Sequence, residues 1–153
     1  MKKVLNRLTI SRHDFDKCRD FLAALPAQEY GSINYEALLI SAIIFYSRPF
    51  SCNEKEKGAQ AESRVDTAVL DNLSAEECEL HTRILNLRNK AVAHAEWKLH
   101  PTGVTGNKVI QSMPFSLWEY FGGSSDVKLF SSLVNKVLLR AHNISADMLR
   151  NMP

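Results

Sequence analysis

The sequence has few cysteines, and none of them forms a recognisable pair. Cys18, Cys52 and Cys78 are the only three in 153 residues, and they are far apart with no Cys-x-x-Cys spacing. An odd number of unpaired cysteines argues against a disulfide framework. The five histidines also lack the paired spacing of structural zinc ligands. The sequence therefore predicts a cytoplasmic protein without a structural metal or a cofactor.

Long hydrophobic segments are missing as well. The longest apolar stretch, residues 37–46, contains Ser41 and is well under the ~20 residues that cross a bilayer. Near the N-terminus, Asn6 and Arg7 interrupt the chain before the ~7–15 apolar residues of a secretion signal accumulate. We therefore expect neither a membrane span nor secretion.

Neither sign of charge dominates the composition. Lys and Arg total 19 and Asp and Glu total 17, which gives a net charge of +2. Composition therefore neither requires nor excludes a polyanionic partner. Apolar residues are plentiful at 45% of the chain, enough for one core at the usual ~100–200 residues per domain. We predict a single domain over residues 1–153.

Helical periodicity begins early in the chain. Ser11 and Asp14 resemble a capping box that opens a first helix, and Pro26 ends it. Residues 35–46 are apolar on almost every side, which is typical of a helix surrounded by others. Pro49 disfavours helical geometry at the residue before it and so ends this second helix.

Two further helices are predicted in the second half of the chain. Ser74 and Glu77 form another capping box, which opens a third and strongly periodic helix. The glycines and prolines of residues 98–114 indicate a loop or small hairpin, and Gly-Gly-Ser-Ser at 122–125 begins the last helix. With residues 51–64 as a long polar loop after helix two, the pattern predicts an all-α, antiparallel four-helix bundle.

The segment 87–97 carries the most informative chemistry. At ~100° per residue, Arg88 shares an apolar stripe with Ile84 and Val92, and His81 lies on that stripe two turns earlier. A guanidinium on an apolar face needs an anion, because burying it unpaired is costly. That anion is either an internal carboxylate or a phosphate in a cleft or subunit interface. The candidate carboxylates are Glu36, Asp66 and Asp126.

His94 follows Arg88 by six positions, or ~120° round an ideal helix, so the two side chains do not converge on a straight helix. Either the helix unwinds near His94, or a site is assembled across a dimer axis. The alternative is an exposed histidine near a helix C-terminus, where positive charge is favourable. Imidazole titrates near ~6.5 and suits proton transfer, whereas guanidinium binds phosphate oxygens through paired hydrogen bonds.

The order Arg88-Asn89, four residues and then His94 resembles the HEPN superfamily pattern of an arginine, four to six residues and a histidine in a late helix. The phrase Leu87-Arg88-Asn89-Lys90 with Ala93-His94 is a familiar form of this pattern. The end of the second helix, residues 45–50, is also similar to abortive-infection-type HEPN proteins. The agreement of this short motif with the four-helix pattern makes the resemblance more specific.

The resemblance implies a homodimer in which Arg88 and His94 of both subunits lie near a shared cleft. It implies a metal-independent endoribonuclease that cleaves RNA through a 2′,3′-cyclic phosphate, in defence or as a toxin with an antitoxin protein as partner. The alternative is a catalytically inactive dimeric module that binds a protein or nucleotide, or a structural dimer with Arg88 paired internally. Supporting or RNA-binding roles are expected for Asn89, Lys90, Arg48 and Tyr46.

Overall fold

The computed structural model describes residues 1–52, 58–89, 102–112, 117, 120–121 and 123–152. These residues are mainly helical, and the long helices are α1 (Lys2–Ala24), α2 (Ile33–Ser47), α3 (Ala75–Leu87) and α4 (Ser124–Arg150). A small antiparallel hairpin is formed by β1 (Thr102–Val104) and β2 (Ile110–Ser112). Short 3₁₀ turns occur at Leu25–Ala27, Arg48–Phe50 and Thr67–Leu70.

The first helix starts earlier than its sequence pattern predicts. α1 begins at Lys2, so the predicted capping box at Ser11 and Asp14 is wrong, and both residues are buried inside the helix. Leu8 and Phe15 lie two turns apart and are both fully buried, which shows that the apolar phase runs through Ser11 without a break. Packing along the whole apolar face therefore outweighs the local capping signal.

The second helix matches its predicted extent closely. The Ser32 hydroxyl accepts the Tyr35 N–H at 3.2 Å and caps the start of α2. The helix ends at Ser47, and Pro49 lies in the 3₁₀ turn that follows. The predicted helix over residues 35–46 is confirmed, and α2 packs against both α1 and α3.

The capping box of the third helix is confirmed, and its Glu77 carboxylate also binds residues of α4. The Ser74 hydroxyl accepts the Glu77 N–H, and the Glu77 carboxylate accepts the Ser74 N–H at 2.8 Å. The carboxylate also accepts hydrogen bonds from Lys136 at 2.8 Å and Ser132 at 3.1 Å, both on α4. Glu77 is only 2% exposed. Burial raises its pKa, but these hydrogen bonds and the charge of Lys136 outweigh burial, so the pKa is lowered overall.

We expect Glu77→Gln to reduce the free energy of unfolding by about 2–4 kcal/mol at neutral pH, because an amide cannot satisfy every donor around the buried carboxylate. Glu76→Gln, at the exposed neighbouring position, is the matched control and should change stability by less than ~0.5 kcal/mol. The folded-state pKa of Glu77 is below its unfolded value of ~4.3. The stabilisation is therefore present above the unfolded value and is lost as the pH falls through the folded-state pKa. Urea unfolding of wild type and Glu77→Gln from neutral to strongly acidic pH measures this stabilisation. A difference in the free energy of unfolding that persists in strong acid would contradict the prediction.

The hairpin and the last helix follow the order that the sequence predicts. β1 and β2 confirm a small hairpin within residues 98–114. Gly123 precedes α4 with a φ of 87°, a left-handed conformation that glycine adopts without strain. α4 packs against α1 and α3, and no helix among the described residues has the length and apolar content to span a bilayer. The large core side chains include Phe15, Leu39, Ile43, Tyr46, Leu80, Ile84, Phe130 and Leu133.

Candidate functional site

Arg88 and Asn89 lie at the C-terminal end of α3. The Arg88 N–H donates to the carbonyl oxygens of Ile84 and Leu85, so the helical register continues through Arg88. Arg88 and Asn89 then belong to a π-helical turn, a local widening of the helix that is frequent at functional sites. The Arg88 side chain is half-buried.

Among the described residues, Asn89 is the hydrogen-bond partner of the Arg88 guanidinium. It donates to the Asn89 Oδ1 at 2.8 Å. Within the part of the chain that the structure describes, no carboxylate lies at salt-bridge distance from Arg88. Of the internal carboxylates suggested by the sequence, Asp126 binds Arg83 at 3.0 Å and Asp66 caps the 3₁₀ turn that follows it. A guanidinium has five N–H donors, so several are not used by the described residues and could bind the oxygens of a phosphate.

Two residues of the predicted site, Lys90 and His94, lie outside the described residues. Their roles stay predictions. The described part of the motif is the adjacent pair Arg88 and Asn89, and the hydrogen bond between their side chains restricts the orientation of the guanidinium.

His81, two turns before Arg88, is held by a buried tyrosine. The Tyr46 hydroxyl and the His81 Nδ1 are 2.8 Å apart, and the Phe50 ring meets the imidazole edge-on at 4.8 Å between centroids. Burial raises the pKa of Tyr46, so its hydroxyl stays protonated. Burial lowers the pKa of His81, which favours the neutral imidazole. A neutral imidazole in a fixed orientation therefore lies on α3, on the face that by helical periodicity also carries Arg88.

Tyr46, for which a supporting or RNA-binding role is expected, has no exposed ring surface on which a base could stack. Its side chain is fully buried. The rings that surround it are those of Phe15, Phe50, Phe130 and His81. Because α2 is apolar on almost every side, the sequence does not reveal which face of this helix lies in the core.

Arg48 places a half-exposed positive charge at the end of α2. Its guanidinium lies 3.2 Å from the buried carboxylate of Asp14 and 5.0 Å from the centre of the Phe45 ring. Burial raises the pKa of Asp14, and the charges of Arg48, Arg7 and His13 lower it without cancelling the rise. Arg48 is therefore fixed against α1 and still half-exposed to solvent.

The buried polar residues of α1 are not among the residues that the sequence pattern predicts. Arg7 is buried, and its Nε donates to the Glu62 carbonyl oxygen at 2.5 Å. Asn6 donates to the Gln60 carbonyl oxygen at 2.7 Å. Part of the segment 51–64, which the sequence predicts as a solvated loop, is therefore bound to α1. The available signal was the spacing of Arg7, Ser11 and Asp14, which places three polar residues on one helix face beside apolar ones.

No group of three or more His, Cys, Asp and Glu side chains that could hold a metal ion occurs among the described residues. No family model, curated protein or solved structure matches the chain. The resemblance to the HEPN superfamily therefore depends on the quoted sequence motif.

Proposed function

We propose that the protein is a HEPN-type, metal-independent endoribonuclease that acts in defence or as a toxin. Its four helices would form the antiparallel bundle of that superfamily, with Arg88 and His94 as catalytic residues. The observation that carries the proposal is the position of Arg88, half-buried at the end of α3 and without a carboxylate partner among the described residues. A phosphate would supply the anion that this guanidinium needs.

The proposed reaction uses the 2′-hydroxyl of RNA as its nucleophile. This oxygen attacks the adjacent phosphorus, the bond from phosphorus to the 5′-oxygen breaks, and a 2′,3′-cyclic phosphate forms. His94 transfers the proton, since an imidazole near neutral pKa can both accept and return it. Arg88 donates to the non-bridging oxygens and stabilises the charge that develops on them.

The neighbouring residues support this chemistry in different ways. Asn89 accepts a hydrogen bond from the Arg88 guanidinium and would orient its plane towards the phosphate. Arg48 and Lys90 would add positive charge for the RNA backbone, because most of the affinity for a polyanion is electrostatic.

An RNA degradation assay tests the proposal. Purified protein should cleave RNA in the presence of EDTA and leave a 2′,3′-cyclic phosphate on one product and a 5′-hydroxyl on the other. Absence of cleavage on any RNA, with a folded protein, would favour the catalytically inactive module that binds a protein or nucleotide.

We expect the protein to be a homodimer with the two Arg88–His94 pairs near one cleft. A helix that is apolar on all sides is normally covered on all sides. On the outer face of α2, however, Ile33 is 85% exposed and Ala37 is exposed. A second copy that covers α2 removes this apolar surface from water. Light scattering at micromolar concentration should give twice the monomer mass. A monomer at this concentration would exclude a site assembled from two subunits.

A further inference from the structure

A groove of about 360 Å³ lies between α1 and α4. The residues that line it from α1 are Arg12, Asp16 and Arg19, and those from α4 include Asn135, Leu139 and His142. In both helices the spacing is i, i+4 and i+7, so each set lies on one helix face. The groove therefore follows two helical turns, or ~10 Å.

The charges in this groove do not balance. Arg19 binds Asp16 at 2.8 Å, so these two side chains compensate each other. Arg12 has no carboxylate at salt-bridge distance within the described ranges. Its Nε is buried, and no described residue provides a hydrogen-bond acceptor for it. A buried donor without an acceptor is costly, and Arg12 as a whole is only partly buried, so an anion bound by the rest of its guanidinium would be favourable here.

We propose that this groove binds a phosphate group. Arg12 donates to the phosphate oxygens from α1, and Asn135 and His142 contribute hydrogen-bond donors from α4. The exposed side chain of Leu139 provides an apolar wall next to these donors, which suits the sugar or base of a nucleotide. The groove lies on α1 and α4, whereas Arg88 is at the end of α3, so this inference does not depend on the proposed RNA cleavage.

The Nε–H signals of arginine in ¹⁵N–¹H NMR spectra test the proposal directly. Inorganic phosphate should shift the Arg12 Nε–H signal in a saturable manner, and sodium chloride at equal ionic strength should not. Arg83 supplies an internal control, because its Nε is also buried with no acceptor from the described part of the chain, while its guanidinium binds Asp126. Equal shifts of both signals, or equal shifts with chloride, would overturn the proposal.

Variants separate the groove from general charge effects. His142→Gln should weaken phosphate binding by about 2–10-fold, the loss expected for one hydrogen bond. Arg12→Lys keeps the charge but removes the planar, forked donors of the guanidinium, and should weaken binding as well. Arg150→Gln removes a positive charge from an exposed position of α4 outside the groove and should leave the affinity unchanged. Unchanged affinity in both groove variants, with folding confirmed by circular dichroism, would contradict the assignment.

The source of the phosphate is settled by two further titrations. Adenosine 5′-monophosphate probes a free nucleotide, and a short 2′-O-methylated RNA, which cannot form a cyclic phosphate, probes the backbone of a strand. Tighter binding of the mononucleotide indicates a nucleotide site, and tighter binding of the RNA indicates a backbone contact. If neither adenosine 5′-monophosphate nor the RNA displaces inorganic phosphate from Arg12, the assignment to a nucleotide phosphate is overturned.

Discussion

Arg88→Ala is expected to lower the rate of RNA cleavage by about 10²–10³-fold, the usual cost of removing a donor that stabilises charge in a transition state. The guanidinium of Arg88 is fixed at the end of α3 by its hydrogen bond to Asn89. Truncation to alanine removes every donor that the Arg88 side chain offers to the phosphate oxygens. The measurement is the single-turnover rate on a defined RNA, with wild type and variant at equal protein concentration.

Arg88→Lys tests whether RNA cleavage requires the forked donors of a guanidinium or only a positive charge at this position. Lysine keeps the charge, but its ammonium cannot offer two parallel hydrogen bonds to a phosphate, so it should restore little activity. Arg150→Ala, which removes an exposed arginine of α4, is the matched control and should retain the wild-type rate. If Arg88→Ala unfolds the protein while wild type cleaves no RNA, Arg88 is a structural residue with an internal partner.

Local signals predicted the helix boundaries where the chain itself supplies the cap. Ser74 and Glu77 are three residues apart, and both hydrogen bonds of their capping box form as the pattern requires. Ser11 and Asp14 show a similar spacing but lie inside α1, since the apolar face formed by Leu8 and Phe15 extends through them. A capping signal is therefore informative only where the apolar periodicity also begins.

The candidate site was predictable where it depends on helical phase. His81 and Arg88 are on one helix, so their shared face follows from their separation of seven residues. The partners of these residues come from other elements and do not follow from spacing. Tyr46 on α2 binds His81, and Arg48 binds Asp14 of α1. Such contacts join residues that are distant in the sequence, and no local pattern encodes them.

His94→Ala is expected to lower the cleavage rate by about 10²–10⁴-fold, the usual contribution of a positioned general acid or base. RNA binding should persist in this variant, because Arg88 and the neighbouring cations supply the electrostatic attraction to the backbone. The fall in rate should therefore appear in single-turnover cleavage and not in the dissociation constant of an RNA that lacks the reactive 2′-hydroxyl.

The pH dependence gives an independent test of the same residue. Wild-type cleavage should depend on a group that titrates near ~6–7, the range of an imidazole, and His94→Ala should remove that dependence. His13→Ala, at an exposed position of α1, is the matched histidine control and should preserve both the rate and the pH profile. Because imidazole transfers the proton in this mechanism, cleavage should survive EDTA and fail on DNA of the same sequence. An activity that needs magnesium, or that His94→Ala leaves intact, would place the cleavage chemistry on other residues.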